Sequence, residues 1–124
     1  MRIISTFVHG TIDYIGALVF FVLPEIFGFA DGQSSAVLVA RILGVVSVIY
    51  SVATDYELGI VKVLSMRAHL AIDYLVALTF LASPFAFGFI HAPAHQWLPF
   101  FGAGVFVAVV TTLTRTAPSR GAAV

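Results

Sequence analysis

Four long apolar stretches, near residues 6–29, 35–54, 67–90 and 96–114, are separated by short polar breaks. Each approaches the roughly 20 mainly apolar residues that a helix rising about 1.5 Å per residue needs to cross hydrocarbon. The pattern predicts an all-α fold, a four-helix transmembrane bundle with two short hairpin loops on one side. Pro24 and Pro84 fall late in the first and third stretches, and each is followed by Phe-Gly-Phe. Proline cannot continue the hydrogen-bond ladder and glycine tolerates the turn that follows, so these helices should kink or end there. The central stretch TDYELGIVKVLSMRAH mixes charges with Leu, Ile and Val, which predicts a short amphipathic segment lying on the membrane surface.

The pattern repeats at an offset of 60 residues without a gap. Residues 2–29 and 62–89 share twelve identities in 28 positions, among them Ser5/Ser65, His9/His69, Asp13/Asp73, Tyr14/Tyr74, Ala17/Ala77, Phe20/Phe80 and Pro24/Pro84. Shared apolar composition explains a matched Leu or Phe, but not His, Asp, Tyr and Pro in register. The later halves agree less, keeping Leu38/Leu98, Gly44/Gly104, Val45/Val105 and Thr54/Thr114. The expected organisation is a tandem repeat of a two-helix hairpin, residues 1–60 and 61–124, forming one membrane domain. Each unit crosses twice, so the two should share one orientation about an axis along the membrane normal.

Composition strengthens the membrane reading. Hydrophobic residues make up 60 % of the 124 and charged residues 10 %, against about 45–50 % and 25 % for soluble domains. A small soluble domain has too much surface to cover with twelve charges. Six basic and six acidic residues give no net charge, hence no field for nucleic acid. The absence of cysteine excludes disulfides, thiolate metal sites and a cysteine nucleophile. Five of the six basic residues, Arg2, Lys62, Arg67, Arg115 and Arg120, fall on one side of a four-span topology. The positive-inside rule then predicts the plasma (inner) membrane with both termini cytoplasmic. The N-terminal run imitates a signal peptide, but His9 and Asp13 interrupt it and the same segment recurs downstream, so cleavage is not expected. The tail APSRGAAV is small and polar and should fray.

The chemistry concentrates in His9, Asp13, His69 and Asp73. Each His–Asp pair is spaced i, i+4 and shares a helix face. Tyr14 and Tyr74 lie one residue further round. Parallel repeats bring both pairs to equal depth, and the cost of an acid in lipid turns them toward one interior. The six residues are the candidate polar cluster or ligand site. A structural tie is one reading. His9 and His69 ligating haem or a divalent metal is another, and a His–Asp proton or ion conductor a third. Arg41, inside the second stretch, should snorkel, pair with Asp31 or Glu25, or contact an anion. His91 and His95 flank a proline in HAPAH and read as loop residues, and Trp97 as an interfacial belt residue.

Ser83-Pro84-Phe85 followed by Gly88-Phe89, the matching Leu23-Pro24-Glu25 with Gly28-Phe29, and the central connection together resemble the SPW repeat family of small prokaryotic membrane proteins. Phe85 and Glu25 stand where that motif carries tryptophan. The resemblance spans nearly the whole chain and implies a paired-span membrane protein. No sequence motif names a reaction. The expected function is therefore a non-enzymatic structural or small-ligand-binding membrane module, partnered by the bilayer and open to self-association.

Overall fold

The computed structural model describes residues 1–118. Arg120 and the last six residues of the expected frayed tail lie outside the described residues. Five α-helices follow one another: α1 (Thr6–Phe21), α2 (Leu23–Ile26), α3 (Ser34–Val52), α4 (Met66–Ala86) and α5 (Ala94–Leu113), with a 3-10 turn at Phe89–His91 before α5. No strand occurs among the described residues. Three helices, α3, α4 and α5, are long and apolar enough to cross a membrane.

The first helix is the exception, because the stretch expected to run from 6 to 29 breaks at Val22. Pro24 offers no N–H, and its ring crowds the carbonyl four residues back. The chain turns at Val22 (φ −95°, ψ 10°) and resumes as α2, with Pro24 in the first turn where no N–H is needed. Pro84 does not break α4, which continues two residues further. There the Ser83 hydroxyl donates back to Thr79 O at 2.5 Å. Leu23, at the matching position, has no hydroxyl. Gly28 (φ 72°) and Gly88 (φ 76°) take the left-handed conformation that redirects the chain after each proline turn.

α1 packs along α3 and α4 along α5. Both contacts are made close by small residues: Gly44 of α3 sits against Ala17 and Phe21 of α1, and Gly104 of α5 against Ala77 and Leu81 of α4. α1 and α4 meet through Phe20 and Phe80, with ring centroids 4.7 Å apart, and again through His9 and His69. Phe29, Phe89, Phe100, Ala36 and Ala40 fill one end of the interior. On the outer surface Ile15, Leu18, Ile49, Leu75, Leu78 and Val109 are each more than half exposed. An apolar groove of about 440 Å³ runs between α1 and α5, past Ile15, Gly16, Val19, Pro99, Gly102 and Ala103.

The starts of α1 and α4 are clasped to the ends of α5 and α3. Ile4 bridges to Thr114 and Leu64 to Thr54, both parallel. The connection between α3 and α4 exposes Ile60, Val61 and Val63 and is not helical. Its backbone folds back, with Ile60 N and Val61 N donating to Val52 O and Val63 N and Leu64 N donating to Ala53 O. Lys62 adopts a positive φ of 56°, which no helix allows. Tyr56 turns inward and is fully buried.

Candidate functional site

Two serines set the phase of the site. Ser5 and Ser65 are N-caps whose side chains accept from Val8 N (3.2 Å) and Ala68 N (3.1 Å). Each histidine then lies one turn into its helix and each aspartate one turn further. Because α1 and α4 face each other here, the four side chains converge. His9 Nε2 is 3.1 Å from Asp13 Oδ1 and 3.0 Å from Asp73 Oδ2. His69 Nε2 is 3.1 Å from Asp13 Oδ2 and 3.5 Å from Asp73 Oδ2. One ligand atom from each of the four lies within 4.8 Å of all the others. His9, His69 and Asp73 are buried, and Asp13 nearly so.

The other ring nitrogens each face a threonine hydroxyl. His9 Nδ1 is 2.6 Å from Thr114 Oγ1, and His69 Nδ1 is 2.8 Å from Thr54 Oγ1. Each threonine hydroxyl carries a single proton. Thr114 donates its proton to Val110 O and Thr54 to Tyr50 O, both at 2.6 Å, and a carbonyl can only accept. The threonine oxygens therefore accept from the histidines, so the proton sits on Nδ1 in both rings. Each Nε2 is left facing carboxylate oxygens, buried and without a hydrogen-bond partner.

The carboxylates have their own donors. Tyr50 OH donates to Asp73 Oδ1 at 2.6 Å and Thr111 Oγ1 to Asp73 Oδ2 at 3.3 Å. Tyr56 OH donates to Asp13 Oδ2 at 2.9 Å. Burial, reinforced by the Asp13 carboxylate, pushes the Tyr56 phenol well above its ordinary range, so it stays a donor. A cavity of about 30 Å³ for the centre of a water adjoins His9, Asp13 and Asp73, with Ser47 and Tyr50 in its wall.

Tyr14 and Tyr74 do not join the cluster. Their one-residue advance on the aspartates is about 100° of helix. Tyr14 OH donates to Leu58 O at 2.8 Å, and Tyr74, exposed, hydrogen-bonds Thr112 at 2.9 Å. Tyr50 and Tyr56 take the places expected for them. Arg41 is engaged by Glu25 through both terminal nitrogens (2.8 and 2.5 Å), by Phe21 O, and lies over the Phe21 ring. It thus closes the carbonyl end left open by the break at Val22, and its fork is already filled by an acid. His91 and His95 are both exposed. Haem does not fit between His9 and His69. Their ring centroids are 5.2 Å apart, and carboxylate oxygens stand beside both Nε2 atoms where a macrocycle would lie.

Two further groups escape the sequence reading. Gln96, buried, accepts from Gln33 N at 2.9 Å and so ties the start of α3 to α5. Thr54 and Thr114, matched at the offset of 60, orient the two histidines. A hydroxyl repeated in register within apolar surroundings is the signal that could have marked them. Searches of protein-family models, curated proteins and solved structures find no match to this chain.

Proposed function

We propose that this chain is an integral membrane protein of four spans, two paired-span units (1–60 and 61–124) of the kind the SPW resemblance implies. In this reading it works as a non-enzymatic module whose buried His–Asp centre joins the units and binds a small ligand. One observation carries the proposal: the molecule's polarity is reversed. Four ionisable side chains, His9, Asp13, His69 and Asp73, one and two turns into their helices, converge in the interior while Ile15, Leu18, Ile49, Leu75 and Leu78 face outward. Water favours the opposite arrangement, and hydrocarbon favours this one. The fourth span is α1 continued through α2. Thr6–Ile26 holds 21 residues, about 31 Å of helix if straight.

Orientation rests on charge. Arg2 reaches Thr111 O and Thr114 O at the end of α5, Arg115 N donates to Ile4 O, and Arg67 starts α4, so these basic residues share one end of the molecule with Lys62. That end is the cytoplasmic one in a plasma (inner) membrane. Reporter fusions at both termini test the topology. Cytoplasmic signals are expected from both; a periplasmic C-terminus overturns the orientation, and termini on opposite sides overturn the four-span reading.

A further inference from the structure

We propose that His9, Asp13, His69 and Asp73 form a closed binding site for one divalent transition-metal ion of the zinc class. This deepens the ligand-binding reading above and names the ligand.

Two independent observations lead to it. The first is the pair of buried, unpartnered Nε2 atoms. With Nδ1 engaged by Thr54 and Thr114, Nε2 is the ring atom that each histidine turns into the cluster. Nε2 atoms and carboxylate oxygens meet there at 3.0–3.5 Å, an arrangement that needs positive charge, carried by protons on Nε2 or by a bound cation. One dication supplies it and neutralises both aspartates. The second observation is the spacing. Zinc bonds to nitrogen and oxygen are about 2.0–2.2 Å, so the edge of a tetrahedral ligand set is about 3.3 Å. With one atom taken from each residue, Asp13 giving Oδ2, three His–Asp edges measure 3.0, 3.1 and 3.5 Å, and all four atoms lie within 4.8 Å of one another.

Ligand chemistry narrows the ion. Two imidazoles and two carboxylates suit a borderline ion; calcium takes six to eight oxygens, and magnesium an octahedral, largely aqueous shell. Soft thiolate-seeking ions have no cysteine to bind. The surroundings supply what metal-bound histidines and carboxylates usually have, a hydrogen bond on the far side of each. Thr54 and Thr114 serve the rings, Tyr50 and Thr111 serve Asp73, and Tyr56 serves Asp13. Four protein ligands leave no open position, which makes the site structural or regulatory in type, not catalytic.

Cobalt(II) provides the test. The detergent-purified full chain is stripped with chelator, then titrated with Co²⁺ and afterwards with Zn²⁺, with circular dichroism recorded throughout. One Co²⁺ per chain is expected, with the intense visible bands of tetrahedral coordination, displaced by Zn²⁺ and not by Mg²⁺ or Ca²⁺. The double variant His9→Gln, His69→Gln should lose the bands. If it fails to fold, Thr114→Val serves instead, keeping all four ligands while weakening Co²⁺ affinity about 10–100-fold. A helical wild-type chain that binds no Co²⁺ overturns the metal site and leaves the four-span proposal intact. Bands that persist unchanged in the folded double variant, or unchanged affinity in Thr114→Val, overturn it too. A wrong topology with tight, histidine-dependent binding would instead sink only the four-span proposal.

Discussion

Replacing Gly44 by alanine tests how closely α1 approaches α3. A Cβ built on Gly44 stands 2.8 Å from Ala17 O, 2.8 Å from Phe21 N and 3.0 Å from Phe21 Cα. All three are main-chain atoms of α1, so no side chain can swing aside. Restoring an ordinary 3.4 Å contact requires α1 to move by about 0.6 Å. Overpacking of this kind costs about 1–3 kcal/mol. Alanine also gains up to about 1 kcal/mol over glycine as a helix former, which would mask part of the loss. Gly102 supplies the control, because a Cβ there meets nothing within 4 Å. The stability difference between Gly44→Ala and Gly102→Ala should therefore be about 1–3 kcal/mol, read from reversible unfolding in mixed micelles. Gly104→Ala should fall between them, since two of its three close contacts are to the Leu81 side chain. Equal stability of the Gly44 and Gly102 variants would refute the close approach of the two helices.

Two further perturbations separate the groups around the cluster. Thr54→Val and Thr114→Val keep the side chain's shape but leave a buried Nδ1–H without an acceptor, so each should cost about 1–3 kcal/mol, with Ser restoring most of it in the same unfolding assay. Tyr50→Phe removes a buried donor to Asp73 and should cost about 1–2 kcal/mol. Tyr14→Phe and Tyr74→Phe should each cost less than about 0.5 kcal/mol. A reversed order among the tyrosines would return Tyr14 and Tyr74 to the site.

The His–Asp chemistry was legible because identity at a fixed offset is independent of folding detail. His, Asp and Pro recur in register, and helical spacing alone puts each His beside its Asp. The tyrosines were not legible. Tyr50 and Tyr56 reach Asp73 and Asp13 across 23 and 43 residues, and the positions matching them at the offset of 60 are Val110 and Thr116, so the repeat carries no trace of their role. Tyr14 and Tyr74 misled for the opposite reason, being matched in register yet turned to another face. The break at Val22 was not legible because the prolines are matched and only one of the two helices breaks; the residues before them differ, Ser83 bonding back to Thr79 O where Leu23 cannot. Inward folding at Tyr56 occurs in a connection that also takes a positive φ at Lys62, and composition announces neither.

The clasps at the helix starts bear on how such a chain can be divided. His9 donates to Thr114 and His69 to Thr54, while Ile4 pairs with Thr114 and Leu64 with Thr54. Each histidine thus takes its acceptor from the opposite half of the sequence. A cut at Gly59 would give two fragments, each holding a histidine whose Nδ1 partner belongs to the other. The exchange is reciprocal, so a single ancestral unit of this type would have found its missing threonine on a second copy of itself. Gene fusion would then have turned an association that depends on concentration into one that a thirteen-residue connection, Ala53–Ser65, makes permanent.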